Sequence, residues 1–421
     1  MRKDAAASAA RGVAGPPAPP APPVPPARLP RQVKLFGALS LLNDFASEMI
    51  YPLLPAFVTG VLGGGAEALG ALDGAAEFAA SFVKFGAGRL ADRPARRGPL
   101  IVLGYAIAVV VRPLIGLTAA AWQVVGLRVV DRVGKGLRTP PRDALMADVT
   151  APALRGRAFG LQRGMDHAGA VLGPLLAWAL LSSGSANVRS VIAWSLAPGV
   201  AVLVLAVWAV RGRAAAVEDG RGRERMVEAG VATQPLPPST ALYRPLPPWP
   251  LLAISAFYLL RMPETLIILR SQQLGVPVAA VPLLWAAVHV VKSSSSFAGG
   301  AWSDRFGPGR TMWIGWVCYA LLASGMALAR TPAQAWGVFL ALGVVWGLTE
   351  SPERALVAES GGDRQGSGFG VYHGATGLAA LAGGIGLGVL YQHFGAAAAF
   401  LASAAGGLAL ALAWPVVAMR R

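Results

Sequence analysis

The sequence has few of the residues that a soluble enzyme or a metalloprotein needs. Only 14% of its 421 residues are charged, and Cys318 is the one cysteine, which excludes an intramolecular disulfide and a cysteine-based metal cluster. The four histidines do not have the spacing of a zinc site, and no Gly-x-x-x-x-Gly-Lys-Ser/Thr loop is present for ATP hydrolysis. With 55% hydrophobic residues, the chain also lacks the polar coat of a soluble protein of this length. We therefore expect a membrane protein that is not an enzyme and needs no cofactor.

Long apolar runs are abundant and predict an all-α membrane protein. A helix needs about 20 apolar residues to span a bilayer, and twelve such runs follow one another along the chain. The predicted spans are approximately 35–59, 67–88, 99–118, 121–141, 157–181, 189–210, 249–270, 278–301, 311–330, 334–356, 367–391 and 396–418.

The net charge of +16 is unevenly distributed along the chain. Basic residues concentrate in the N-terminal tail, in the second-to-third and fourth-to-fifth connections and in the central loop. This bias predicts a multi-pass protein of the inner or plasma membrane with both termini in the cytoplasm. It explains the charge without nucleic acid, so the expected partners are lipid, protons and a small-molecule substrate, and we expect a monomer.

The two halves of the chain repeat each other. GLRTPPRDALMAD (136–148) aligns with GLTESPERALVAE (347–359), and the second and eighth spans end alike, in GRLADRPARR (88–97) and GAWSDRFGPGR (300–310). A duplicated six-helix unit in parallel orientation is typical of one large class of secondary transporters, whose site lies between the halves. The predicted domains are a disordered Pro-rich cytoplasmic tail over 1–34, a six-helix half over 35–211, a cytoplasmic linker over 212–248 and a second six-helix half over 249–421.

The GRLADRPARR segment resembles the signature of the major facilitator superfamily between its second and third helices, with Ala95 where the family usually places glycine. The resemblance implies the major facilitator fold, with twelve transmembrane helices as two six-helix pseudo-repeats, and a role for this loop in stabilising the outward-facing state. We assign Arg96 and Arg97 to topology. The predicted gating residues are Gly88, Asp92, Arg93, Gly173, Pro174, Asp304 and Arg305.

Two further motifs are similar to those of the same superfamily. Gly169-x-x-x-Gly173-Pro174 resembles the antiporter motif of proton-coupled drug exporters, with Ala177 in place of its last glycine. Arg128, followed by Gly134 and Gly136, looks like a loose version of the Arg-x-x-x-x-Gly motif. These motifs imply proton-coupled export.

Charges also lie near the middle of several predicted spans. Asp44 and Glu48, like Asp73 and Glu77, are four residues apart and share one helix face. A charge at the bilayer centre costs at least about 2.5 kcal/mol, so we expect these groups to pair within the bundle or to face a cavity. The candidates for proton coupling or the substrate cavity are Asn43, Asp44, Glu48, Asp73, Glu77, Arg128, Asp131, Arg132, Arg163, Asp166, Arg261 and Glu264.

Most of these charges belong to the first half, which predicts that coupling occurs there and that the second half mainly shapes the cavity. Arg128, Asp131 and Arg132 fit a structural clamp as well as a coupling site. Lys84 and Lys292 are expected to extend toward the cytoplasmic ends of their helices.

The predicted function is proton-coupled antiport that exports a small cationic or amphipathic compound, with the proton gradient as the energy source. Divalent-metal export is one alternative, because the carboxylates with Asn43 and Ser47 offer hard oxygen ligands. Proton-coupled uptake of an anionic metabolite is another, with Arg128, Arg132, Arg163 and Arg261 as binding residues. A sensor or scaffold that transports nothing is a remote third.

Overall fold

The computed structural model describes residues 29–91, 93–150, 154–218, 248–361 and 365–418, and these ranges are helical over most of their length. The first half contains α1 Arg31–Glu48, α2 Leu54–Ala56, α3 Ala66–Ala91, α4 Pro94–Ile115, α5 Ala121–Asp148, α6 Arg155–Ser182, α7 Val188–Trp194 and α8 Leu196–Glu218. The second half contains α9 Pro248–Leu260, α10 Glu264–Gln273, α11 Val281–Phe306, α12 Pro308–Leu328, α13 Pro332–Gly361 and α14 Gln365–Ala418. Most of the predicted tail and linker lies outside the described residues.

The helices of the described ranges form twelve membrane passes. Eight stretches in the described ranges are long and apolar enough to cross a membrane. One of them, Gly370–Trp414, makes two passes because it bends at Gly395, whose φ of +87° favours glycine. The other three passes are α1 with α2, α3 and α5, which carry most of the predicted cavity charges and are therefore less apolar. The predicted all-α fold of two six-helix repeats is confirmed.

Prolines interrupt the first pass in its second part. After α1 ends at Glu48, the chain makes a 3₁₀ turn over Tyr51–Leu53, the short α2, and a π turn over Phe57–Val61. Pro52 and Pro55 lack the N–H groups that a continuous α-helix would use there.

The seventh pass is broken between α9 and α10, where Pro263 directly precedes α10. Other helices supply partners for the backbone groups at the break. The Met262 N–H donates to the Tyr319 hydroxyl at 2.7 Å, and the Ser403 hydroxyl donates to the Leu260 carbonyl at 2.6 Å. Because lipid offers backbone groups no partners, these contacts let the N-terminus of α10 lie at mid-depth inside the protein.

The two halves are closed against each other at one end of the bundle. We call the end at which α1 begins the N-terminal face and the opposite end the far face. At the far face, Leu54 and Phe57 of the first half share an apolar core with Leu266 of the second. The backbones of α3 and α14 also touch, since a methyl group on Gly70 would overlap the Gly384 carbonyl. Toward the N-terminal face α3 and α14 stay in contact, as at Ser81 and Gly377, and a cavity lies between the two halves.

Candidate functional site

A cavity of about 450 Å³ lies between the two halves. Exposed Lys135, Arg163 and Arg354 line it toward the N-terminal face, and buried Tyr51 lines its far end, so it opens at the N-terminal face. Ten Lys or Arg and seven Asp or Glu side chains of the described residues contribute to the lining. They are Lys84, Arg128, Arg132, Lys135, Arg138, Arg142, Arg163, Arg261, Lys292 and Arg354, with Asp44, Glu48, Asp73, Glu77, Asp166, Glu264 and Glu350.

Eleven of the twelve residues predicted for the cavity line it, and Asp131 lies behind the wall. The Asp131 carboxylate accepts hydrogen bonds from Arg112 Nε at 3.0 Å and from Arg128 Nη1 at 3.2 Å. All three side chains are buried, and Arg112 also donates to the Asn43 carbonyl at 3.1 Å. These bonds join α1, α4 and α5, so the Asp131 pairs hold the first half together.

Asn43 and Asp44 lie where α1 meets α5. The Asn43 amide donates to Asp44 Oδ1 at 2.8 Å, and Arg138 donates to Asn43 Oδ1 at 3.2 Å. On α6, Gln162 donates to Asp166 Oδ2 at 2.6 Å. Asp44 and Asp166 thus accept hydrogen bonds from neutral amides, and Asp166 also lies 3.8 Å from Arg163 Nη1.

Asp73 connects the two halves at the far end of the cavity. Its Oδ1 accepts from the Tyr51 hydroxyl at 2.9 Å, within the first half. Its Oδ2 accepts from the Thr265 N–H at 3.0 Å and the Thr265 hydroxyl at 2.8 Å, in the first turn of α10. A carboxylate is favoured at a helix N-terminus, where N–H groups lack partners within the helix. We call this contact the Asp73 latch.

Glu48 makes a second contact across the halves. Its Oε2 accepts from the Trp285 indole N–H at 3.0 Å, and the His289 Nε2 lies 4.0 Å away. Trp285 and His289 are one turn apart on α11. Two carboxylates from different passes of the first half, Glu48 and Asp73, therefore hold hydrogen bonds to the second half.

The second half contributes more charge to the cavity than the sequence indicated. Lys292, expected to extend toward the end of its helix, instead pairs with Glu350 at 2.8 Å and lies over the Trp346 ring. Glu350 and Arg354 were missed, although both stand in the repeat segment 347–359. Arg354 aligns with the charged Asp143 of 136–148, which was an available signal, whereas Glu350 aligns with the uncharged Thr139.

Most cavity charges without a direct partner are positive. Lys84, Arg132, Lys135 and Arg354 form no hydrogen bond or ion pair within the described ranges, and the Arg261 guanidinium lies 4.7 Å from the Tyr258 ring centre. Among the lining acids in those ranges, Glu264 has no hydrogen bond or ion pair, and Glu77 accepts a long bond of 3.4 Å from Ser81. The cavity charge that lacks a direct partner is therefore predominantly basic.

The predicted gating residues lie in two places. Gly173 and Pro174 are in α6, where a methyl group on Gly173 would overlap the Phe45 carbonyl of α1. The motif thus allows close packing of α6 on α1. The others are at the N-terminal face: Gly88 near the end of α3, exposed Arg93 before α4, and Asp304 and Arg305 in the last turn of α11, with Asp92 outside the described residues.

Arg97 does more than set topology. Its Nε donates to the Ala91 carbonyl at 2.6 Å, and its Nη1 pairs with Asp148. These contacts tie the ends of α3 and α5 to the start of α4 at the N-terminal face. The gating and coupling roles of all these residues stay predictions.

A family model described as Major Facilitator Superfamily matches residues 36–372 and 265–421. An uncharacterized MFS-type transporter of Methanocaldococcus jannaschii is 27% identical over 366 residues, which are 86% of this chain and 89% of that protein. The multidrug resistance protein MdtH of Photorhabdus laumondii is 32% identical over 133 residues, 31% of this chain and 33% of that protein. The crystal structure of the nucleoside transporter NupG has the same fold, with a TM-score of 0.68 over 92% of this chain and 99% of that one, at 12% identity.

Proposed function

Because this chain belongs to the major facilitator superfamily, we propose that it is a secondary active transporter that works by alternating access. The observation that carries the proposal is the charged cavity between the halves, open at the N-terminal face and closed at the far face by cross-half hydrogen bonds. A substrate enters this cavity, the far contacts break as the halves rock, and the substrate leaves on the other side. The proposal puts the N-terminal face in the cytoplasm, on the evidence of the basic connections.

The substrate that the cavity charge favours is a small organic anion. Its lining has three more basic than acidic side chains, and the basic groups without partners outnumber the acids without partners. Arg132 and Lys135 are three residues apart on α5, so they lie on adjacent turns of one helix face. An anion that binds between them and Arg261 would contact both halves, which is what a transported substrate must do.

Export of a cationic or amphipathic compound is the second candidate. The partial similarity to the multidrug resistance protein MdtH favours it, and Glu77 and Glu264 offer negative charge inside the cavity. The metal variant has less support, because no group of three or more His, Cys, Asp or Glu within the described ranges is placed to hold an ion.

Proton coupling in this proposal acts on the two cross-half carboxylates. Protonation of Glu48 or Asp73 removes the charge that accepts the Trp285 and Thr265 hydrogen bonds, and charged acceptors form the stronger bonds. Proton uptake therefore loosens the far contacts, and proton release restores them.

A thermal-melting panel on the purified protein separates the two substrate classes. A bound ligand stabilises the folded state by about 2.7 kcal/mol at 100 times its dissociation constant. The probes are citrate and glycerol 3-phosphate as anions, and tetraphenylphosphonium and ethidium as cations. We expect stabilisation by an anion that is lost in Arg132→Gln and Lys135→Gln and kept in Arg330→Gln, which removes an exposed charge outside the cavity.

Stabilisation by the cations alone, lost in Glu77→Gln, would favour the second candidate over the first. A ligand from the panel is then tested for counterflow in proteoliposomes. Binding without counterflow would contradict transport itself.

A further inference from the structure

Glu353 is a buried carboxylic acid in the second half that neither the cavity nor the cross-half contacts use. It lies on α13, is 1% exposed, and is absent from the cavity wall of the described residues. The Tyr372 hydroxyl of α14 donates to its Oε2 at 3.1 Å, and the Tyr258 hydroxyl of α9 donates to the same atom at 3.3 Å. Glu353 therefore ties three passes together through two phenols.

The three oxygen atoms form a closed triangle. The Tyr258 and Tyr372 hydroxyls lie 3.5 Å from each other, so each oxygen is within hydrogen-bond reach of the other two. A phenol hydroxyl can donate and accept. With Glu353 ionised, both phenols donate to it. With Glu353 protonated, its O–H donates to the first phenol oxygen, and the first phenol donates to the second. The second phenol then donates to Glu353 Oε2, which closes the ring. The same heavy-atom positions satisfy both protonation states.

No cation neutralises Glu353 by direct contact within the described part of the chain. The Arg261 guanidinium, the cation from the seventh pass, lies over the Tyr258 ring instead. Glu350, one turn earlier on α13, is paired with Lys292 of α11, and the Arg354 side chain is exposed. His373 of α14 packs against the Tyr372 ring. An acid taken out of water without a paired cation is most readily accommodated in its neutral form.

The two phenols also connect Glu353 to the cavity. Tyr258 and Tyr372 both line the cavity, with Glu353 behind them. A proton can therefore pass from cavity water to a phenol oxygen while the phenol passes its own proton to the carboxylate. In the aligned repeat, the first-half residue that corresponds to Glu353 is Arg142, which keeps its charge. The titratable group is thus specific to the second half.

We propose that Glu353, reached from the cavity through Tyr258 and Tyr372, is a proton-binding site of the second half. It binds one proton without displacing the surrounding helices. Its use as a coupling site alongside Glu48 and Asp73 rests on the proposed transport function, whereas proton binding itself does not.

Infrared difference spectroscopy of the purified protein between acidic and alkaline pH tests the site without any substrate. We expect the wild type to show a carboxylic acid C=O band that appears on acidification and is lost in Glu353→Gln. The matched control is Glu350→Gln, one turn away and paired with Lys292, which should keep the band. Tyr372→Phe removes one hydrogen-bond partner and should shift the band without abolishing it.

An unchanged band in Glu353→Gln together with an unshifted band in Tyr372→Phe would overturn the assignment. If Glu353→Gln does not fold, the Tyr372→Phe shift decides alone, because that variant keeps the acid and changes only its partner. Unchanged pH-driven transport in Glu353→Gln, with the band lost, would contradict the coupling role and leave the proton site standing.

Discussion

Replacing Asp73 by asparagine should open the far face of the protein. The substitution keeps the size of the side chain but removes the charge that accepts two hydrogen bonds from Thr265 across the halves. Hydrogen bonds to charged groups contribute about 1.5–3 kcal/mol each and neutral ones about 0.5–1.5 kcal/mol, so the contact weakens by about 2 kcal/mol. Since 1.4 kcal/mol is a factor of ten, the equilibrium should move by roughly 30-fold toward the state open at the far face.

The assay is alkylation of a cysteine that only the far-open state exposes. Val58 is fully buried in the core shared by the halves at the far face, and Val58→Cys in a Cys318→Ala background provides the one reactive thiol. Asp73→Asn should raise its rate of alkylation by a membrane-impermeant maleimide by the same factor of roughly 30. Glu67→Gln is the matched control, because it removes an exposed carboxylate from the same helix.

Two further variants separate the cross-half bonds from the bond within the first half. Thr265→Val removes one cross-half hydroxyl donor and should raise alkylation less than Asp73→Asn does. Tyr51→Phe removes a donor on the same half as Asp73 and should leave the rate close to the control. An Asp73→Asn rate equal to that of Glu67→Gln would refute the latch, and so would a Tyr51→Phe effect as large as that of Thr265→Val.

Three other substitutions test contacts within each half, and each is measured by thermal melting of the protein in detergent. Asp131→Asn leaves two buried arginines without their anion and should cost about 3–5 kcal/mol of stability, so a melting temperature near wild type would show that the pairs are dispensable. Gly173→Ala should lower the free energy of unfolding by about 1–3 kcal/mol, because the added methyl group overpacks against α1. In the control Gly164→Ala, on the same helix, the added methyl group meets nothing within 4 Å, so stability should not change. Equal effects of the two substitutions would contradict the close-packing role of Gly173. Ser403→Ala removes the hydroxyl that donates to the Leu260 carbonyl at the break in the seventh pass and should cost about 1–3 kcal/mol of stability; a melting temperature equal to that of the wild type would show that this bond does not support the break.

The fold was predictable because membrane spans are defined by composition and length. Twelve apolar runs and a repeat between 136–148 and 347–359 are both properties of the chain itself, and they suffice for two six-helix halves. The extent of the helix breaks was harder to predict from the sequence. Pro263 signals an interruption, but the length of the gap between α9 and α10 depends on Tyr319 and Ser403, which lie far away in the sequence.

The site was predictable as a set of charges but not as a set of pairs. Spacing of four residues brings Asp73 and Glu77 to one face, and both line the cavity. That Asp73 meets Thr265 could not be inferred, since the two are 192 residues apart and threonine carries no charge to complement. Glu353 was missed for a related reason, because its partners are neutral phenols.

Asp73 of the second span has a physical reason to be in an apolar helix. A broken pass such as α9–α10 presents backbone N–H groups that lipid cannot satisfy, and a carboxylate on the opposite half can accept them, as Asp73 does from Thr265. In the proposed alternating-access cycle the contact is made only while the far face is closed, so its free energy stabilises one of the two states and shifts the equilibrium between them. A charged acceptor makes that energy dependent on protonation. The same substitution of Asp73 that opens the far face should therefore also make its opening less sensitive to pH, which the Val58→Cys alkylation rate measured across pH will show.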